Sequence, residues 1–260
     1  MQLATFLAPG GDQPLAGVVD GDDVYELAAG LSVVDVLTGA TADADHRSWP
    51  LSDVTLLPPV PDPGTVYAIG MNYAKHIAEM KMQAPEAPVV FVKVRGSLAP
   101  PGGPIRCPEV VRRLDYEGEL TIVIGEGGRI AGYCIADDVT ARDLQGREPQ
   151  WTRAKGADTF CPVGPWVTTA DDVPDPDHLV LRTWVNRELR QETSTCDLIF
   201  NCQDLVDFIG QTCTLEPGDL ILTGTPSGVG MGMDPPQFLK SGDVVRIEID
   251  SLGAIEHPVA

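Results

Sequence analysis

Apolar residues in this chain gather in short runs broken by glycine, proline or charge. VYAIG at 66–70, VVFVK at 89–93, GELTIVIG at 118–125 and RIAGYCIAD at 129–137 are rich in β-branched residues and predict strands. DLILTG at 219–224, DVVRIEID at 243–250 and AIEHPVA at 254–260 predict three more. The segment LAGVVDGDDVYEL places Asp20-Gly21 between two β-prone runs, a hairpin signal. LVLRTWVNRELRQE suggests a second hairpin, although Asn186-Arg187 lacks a glycine. Helical spacing is confined to two places. One runs from about Tyr73 to Met82, with Asn72 as the expected cap and Pro85 beyond it. The other spans Gln203 to Gln211, through Leu205, Val206, Phe208 and Ile209. The expected fold class is mixed α+β and β-rich, with too few helices for a doubly wound parallel sheet.

Four prolines between Pro58 and Pro63 forbid helix and interrupt any ladder. They divide the chain into a small N-terminal domain, residues 1–60, and a larger one, residues 61–260. Charge follows the same division. The formal net charge is −20. Residues 1–60 carry nine acids and one base, Arg47, whereas residues 91–155 carry ten bases and nine acids. The overall acidity speaks against nucleic acid and anionic membrane surfaces as partners. The N-terminus lacks the basic and long apolar regions of a signal peptide, and the expectation is a cytoplasmic, soluble protein. Its six widely spaced cysteines form no C-x-x-C pair and are expected as reduced, mostly buried thiols.

The near-neutral middle segment holds the candidate chemistry. Glu117 and Glu119, two apart on a predicted strand, project to one face and repel unless a cation joins them. An isolated E-x-E is ordinarily a pair of exposed acids at a strand end. Asp137-Asp138, ending the next predicted strand, adds a carboxylate within reach of the same point. Three carboxylates without a His or Cys cluster form a hard oxygen site, suited to Mg²⁺ or Mn²⁺, or to Ca²⁺, rather than to zinc. His76 and Glu79, three apart on the predicted helix, could form a carboxylate-held general base or a plain exposed pair. Lys155, one of five lysines, could steady an oxyanion near a metal or lie in solvent. Arg142 and Asp143 could pair and orient the adjoining loop. TGTPSGVG at 223–230 follows a strand but lacks a Gly-Lys-Ser/Thr ending, so a small anion pocket with Thr225 as donor fits better than a nucleotide site. His46, His178 and His257 are read as structural or surface residues.

Together the blocks AIGMNYAKHIAEM, DYEGELTIVIG, GYCIADDVTARDLQ, RAKGADTFCPVGPW, LILTGTPSGVG and SGDVVRIEID resemble, in order, the fumarylacetoacetate hydrolase family. The resemblance covers residues 66–259 and implies a β-roll of mixed sheets with few helices, preceded by the small N-terminal region. It implies Mg²⁺ or Mn²⁺ on Glu117, Glu119 and Asp138, catalytic His76, Glu79 and Lys155, and substrate contacts from Gln145 and Thr225. Arg142 is added as a further substrate-binding candidate. The implied activity is metal-dependent C–C hydrolysis of a 2,4-dioxo acid. Oxaloacetate decarboxylation and isomerisation of a 2-hydroxyhepta-2,4-diene-1,7-dioate are alternatives, and a binding protein with little turnover is a reading of another class. The implied partners are a small anionic keto acid and a second copy in a homodimer. One departure is that Lys93-Val94 replaces the family's common Lys-Pro, which leaves Arg95 either near the pocket or pointing outward.

Overall fold

A computed structural model describes residues 1–43 and 47–260 of the chain. Its main element is a 12-stranded sheet. Along its path lie the strands Ala44–Pro50, Asp23–Leu27, Leu15–Asp20, Gln2–Leu7, Cys161–Thr169, Ile130–Asp137, Gly118–Ile124, Leu220–Leu222, Val66–Gly70 and Val89–Lys93. Pairing along that path is antiparallel except between Leu220–Leu222 and Val66–Gly70. The N-terminal strands join this sheet through Gln2 and Leu3, opposite Thr168 and Val167. A second, four-stranded antiparallel sheet runs Glu188–Ser194, Val180–Val185, Val244–Ile249 and Gly253–Pro258.

The strand Gly118–Ile124 is buried along its whole length because both of its faces are covered. Leu120, Ile122 and Ile124 belong to a core shared with Leu181 and Ile247 of the second sheet and with Leu205 and Ile209 of the helix Cys202–Gly210. Val123, on the opposite face, packs with Cys134, Ala136 and Val163. Burial on two faces explains why this strand reads as a continuous apolar run rather than an alternating one. The second sheet has one covered face. There Leu181, Thr183 and Val185 are buried, and Arg182 and Trp184 point outward.

Local signals translate directly. Asp20 and Asp23 pair across the first hairpin, with Gly21 at φ 61°. Asn186 and Arg187 turn the second hairpin with φ of 51° and 70°, a left-handed pair achieved without glycine. The helix Cys202–Gly210 starts on a capping box between Asn201 and Asp204. The earlier helix differs from expectation. It is short, Ala74–Glu79, and Asn72 does not cap it. The Asn72 side chain instead donates to the carbonyls of Phe200 and Thr223 and accepts from the Phe200 amide. Those long-range bonds hold the helix entrance against two distant loops. Cysteine burial is also lower than expected, since Cys107, Cys196 and Cys213 are exposed and Cys134, Cys161 and Cys202 are buried.

Candidate active site

The three candidate carboxylates meet at one end of the strand Gly118–Ile124. Gly118 pairs with Asp137 across the ladder, which brings Glu117, Glu119 and Asp138 to a common point. One oxygen from each lies within 4.8 Å of the others, and all three residues are buried. Gly118 separates the two glutamates for a packing reason. A Cβ there would sit 2.4 Å from Thr183 Oγ1 of the second sheet.

Cations thread this cage. Lys155 Nζ lies 2.5 Å from Glu117 Oε2 and 2.5 Å from Asp138 Oδ2. Lys93 Nζ pairs with the other Asp138 oxygen and donates to the Lys155 carbonyl at 2.5 Å. Arg142 Nε donates to Asp115 Oδ2 at 2.8 Å, and its Nη2 lies 2.5 Å from Glu117 Oε1. Asp115, Glu117, Glu119 and Asp138 thus face Lys93, Lys155 and Arg142, one carboxylate in excess. Burial works against an ionised Glu117, but the Lys155 and Arg142 charges outweigh it and hold its carboxyl at about 2. Glu119 bears the excess. Burial first, then the Asp138 and Glu117 charges, raises its carboxyl well above the ordinary range. Its one recorded hydrogen bond comes from the Gly224 amide at 2.7 Å, where the backbone takes φ of 102°. Burial disfavours the Lys155 ammonium, yet Asp138 and Glu117 raise its pKa overall.

This donor set fits a hard divalent cation. It offers carboxylate oxygens without sulfur or imidazole, carries a surplus negative charge, and already draws an ammonium group between two of its members.

His76 Nδ1 lies 3.1 Å from Glu79 Oε2, and the other Glu79 oxygen accepts the Gly228 amide at 3.0 Å. The imidazole therefore has a fixed orientation. His76, Glu117, Glu119, Arg142, Gln145, Lys155 and Thr225 all line one cavity of about 270 Å³. Gln145 accepts from Arg142 Nη1 at 3.0 Å. The Thr225 hydroxyl donates to the Gly118 carbonyl and accepts from Gln191. A larger hollow, about 860 Å³, lies on the outer face of the second sheet beside Trp184, Arg182 and Arg246, away from these groups.

Several sequence expectations need correction. Arg142 does not pair with Asp143. It reaches Asp115 and Glu117, while Asp143 accepts the Arg112 amide. The glycine-rich loop is not a pocket of amides open to a substrate anion. Its Gly224, Gly228, Gly230 and Met231 amides serve the protein's own Glu119, Glu79 and Asp115 carboxylates. Arg95 points outward and pairs with Asp62. His178 sits with Asp175 at the surface, and His46 lies outside the described residues. His257 is fully buried, with Nε2 2.8 Å from Asp137 Oδ2, while the other Asp137 oxygen accepts the Glu117 amide at 2.8 Å. Lys93, Asp115 and the Asp137–His257 pair were missed by sequence reasoning. The available signal was a lysine and aspartates inside otherwise apolar runs, where unpaired charge is costly.

A β-rich fold of two sheets enclosing a carboxylate cage beside a histidine–glutamate pair defines a candidate hard-cation site of an enzyme acting on small anions. Residues 65–260 match the family model described as fumarylacetoacetate (FAA) hydrolase C-terminal, and residues 1–59 match one described as Rv2993c-like, N-terminal. The chain is 42% identical over 229 residues to oxaloacetate tautomerase fahd2, mitochondrial, of Xenopus laevis, an alignment covering 84% of this chain and 72% of that one. It is 42% identical over 225 residues to oxaloacetate tautomerase YisK of Bacillus subtilis, covering 81% and 75%. The solved fumarylacetoacetate hydrolase of Exiguobacterium antarcticum superposes with a TM-score of 0.88 at 37% identity, covering 100% of this chain and 99% of that one. The chain belongs to the fumarylacetoacetate hydrolase family.

Proposed function

We propose that this protein hydrolyses the C–C bond of a 2,4-dioxo acid of acylpyruvate or fumarylpyruvate type. The observation that carries this reading is the convergence of a buried three-carboxylate cage and the Glu79-held His76 on one cavity. Glu117, Glu119 and Asp138 would hold Mg²⁺ or Mn²⁺, which supplies positive charge for the oxygens of a 2-oxo acid. Glu79 engages His76 Nδ1 and so leaves Nε2 to take a proton from water. The hydroxide adds to the C4 carbonyl, and the C3–C4 bond breaks with its electron pair on C3. His76 returns the proton to C3, giving a carboxylic acid and pyruvate. Lys155 supports the negative charge that spreads onto the 2-oxo oxygen during cleavage. Gln145 and Thr225 position the substrate from the cavity wall, and Arg142, committed to Asp115 and Glu117, holds Gln145 in place.

A second reading is keto–enol interconversion of oxaloacetate, favoured by the names of the two sequence relatives. It requires one proton transfer at C3 and one at the 2-oxo oxygen, for which His76 and Lys155 are the candidates. Decarboxylation of oxaloacetate, which yields the pyruvate enolate of the first reading, and isomerisation of a diene dioate, through a dienolate of its own, belong to the same test. The family also carries the expectation of a homodimer, which light scattering after size exclusion measures.

The deciding experiment assays acylpyruvates, oxaloacetate and a diene dioate with Mg²⁺ or Mn²⁺, with and without chelator. Hydrolysis that needs metal and His76 supports the first reading. Tautomerisation with no cleavage of any 2,4-dioxo acid supports the second, and ligand binding without turnover leaves a binding protein.

A further inference from the structure

The cavity wall is chemically divided. Four of the chain's six methionines, Met71, Met80, Met82 and Met231, line it together with Phe91 and Trp151. The contacts lead outward from the cage in sequence. Lys155 Nζ, held by Glu117 and Asp138, lies 5.4 Å from the Phe91 ring centroid. Phe91 meets Trp151 edge to face at 5.4 Å. Trp151 lies against the backbone of Gly70, where a Cβ would come within 2.5 Å of the ring. The next residue, Met71, is held at φ 59°, a left-handed conformation that a methionine adopts only under constraint from its surroundings. Methionine is flexible and polarisable, so such a wall fits varied apolar groups without a fixed shape.

No lining cation is left over for a second anionic group. Among the described residues of this wall, Arg142 is taken by Asp115 and Glu117, Lys155 by Glu117 and Asp138, and His76 by Glu79. A substrate carboxylate entering the methionine arm would lose its water and find no cationic partner.

We infer that the substrate class of this site is a 2-oxo acid whose far end is a flexible apolar group, and that the methionine arm discriminates against a second carboxylate there. The inference rests on the proposed 2-oxo acid site and narrows it to the acylpyruvate type, because it sets this chain apart from enzymes of fumarylpyruvate, of oxaloacetate and of diene dioates. Each methylene entering the arm strengthens the interaction about fourfold, up to the size limit of the cavity. A terminal carboxylate in place of a methyl weakens it at least about tenfold.

Two measurements on the Mg²⁺-loaded protein test this. The first compares kcat/KM for 2,4-dioxo acids of increasing alkyl length with that for a carboxylate-ended analogue and for oxaloacetate. The second measures, by calorimetry, binding of unreactive 2-oxobutanoate, 2-oxohexanoate and 2-oxoglutarate. The arm predicts that 2-oxohexanoate binds tightest and 2-oxoglutarate weakest for its length. Met82→Arg, which places a cation at an exposed edge of the arm, should raise affinity for 2-oxoglutarate and lower it for 2-oxohexanoate. Chain-length-dependent binding without hydrolysis of any dioxo acid overturns the hydrolase reading and keeps the arm. Hydrolysis that is indifferent to chain length, or 2-oxoglutarate binding as tightly as 2-oxohexanoate, overturns the arm and keeps the hydrolase. Binding of no 2-oxo acid at all overturns both.

Discussion

Replacing Glu119 with glutamine separates the charge of the cage from its shape. The amide is nearly isosteric, and its oxygen can still accept the Gly224 N–H. What disappears is the carboxylate in excess over the three cations. At 4.8 Å, the spread of the ligand oxygens, one unbalanced unit charge in a medium of effective dielectric 20 amounts to about 3.5 kcal/mol. Weakening a charge-assisted hydrogen bond to a neutral one returns about 1 kcal/mol. The metal-free variant should therefore be more stable than the metal-free parent by on the order of 2 kcal/mol, or about 4–8 °C in Tm. The sign depends on pH. Because the folded chain raises the Glu119 pKa, its contribution is fully present below the ordinary value of 4.5 and is lost as pH rises through the raised value. The advantage of Glu119→Gln should thus grow as pH rises above 4.5 and close below it. Metal reverses the order. At a hundredfold excess over Kd the parent gains about 2.7 kcal/mol, whereas the variant, lacking one of three ligands, gains far less. Melting curves in chelator and in Mn²⁺, at two pH values, read all four states. A variant that melts below its parent in alkaline chelator and gains as much from Mn²⁺ would refute the surplus-charge account and the metal assignment together.

Glu117→Gln should have the opposite effect on the metal-free protein. Its carboxyl is held at about 2 against an ordinary 4.5, so its contribution is present above pH 4.5 and lost as pH falls toward 2. Near neutral pH its loss should cost on the order of 3 kcal/mol, visible as a lower Tm in chelator, and an unchanged Tm would contradict the Lys155–Arg142 pairing. His257→Ala strands the buried Asp137 and releases its hold on the Glu117 amide. It should lower stability by about 3 kcal/mol and weaken Mn²⁺ binding by about tenfold or more, which titration calorimetry measures. A large drop in Tm with intact metal affinity would confine His257 to packing. His76→Ala should reduce acylpyruvate hydrolysis by about 10²–10⁴-fold while Mn²⁺ binding persists, and full hydrolysis in that variant would remove water activation from the histidine.

The strands at 66–70, 89–93, 118–124, 130–137 and 244–249, both hairpins and the helix at 202–210 were readable in the sequence, because each depends on contacts between residues close in the chain, whereas Gln2–Leu7 and Cys161–Thr169, which pair with each other from distant parts of the chain, were not. β-branched runs, an Asp-Gly pair and a helical apolar period act locally. The E-x-E pair and the aspartate after the next strand were legible for the same reason, since two adjacent antiparallel strands convert sequence spacing directly into proximity. Asn72 could not be read this way. As an expected helix cap it satisfied a local rule, but two loops some 130 and 150 residues away offered better partners. Arg142 likewise left its neighbour Asp143 for Asp115 and Glu117, where burial makes an unpaired carboxylate far more costly than one at the surface. By itself, then, the sequence determined the β-rich class and the residue types of a hard-cation cage. Only the tertiary structure decided which charges balance which. Lys93 reaches Asp138 across 45 residues, Glu79 reaches Gly228 across 149, and His257 reaches Asp137 across 120, and the two aspartate pairings exist because folding removes both groups from water. The methionine arm has the same origin. Met71, Met80, Met82 and Met231 share no sequence period, and they become a single surface when the loop carrying Met231 closes over the helix that holds His76.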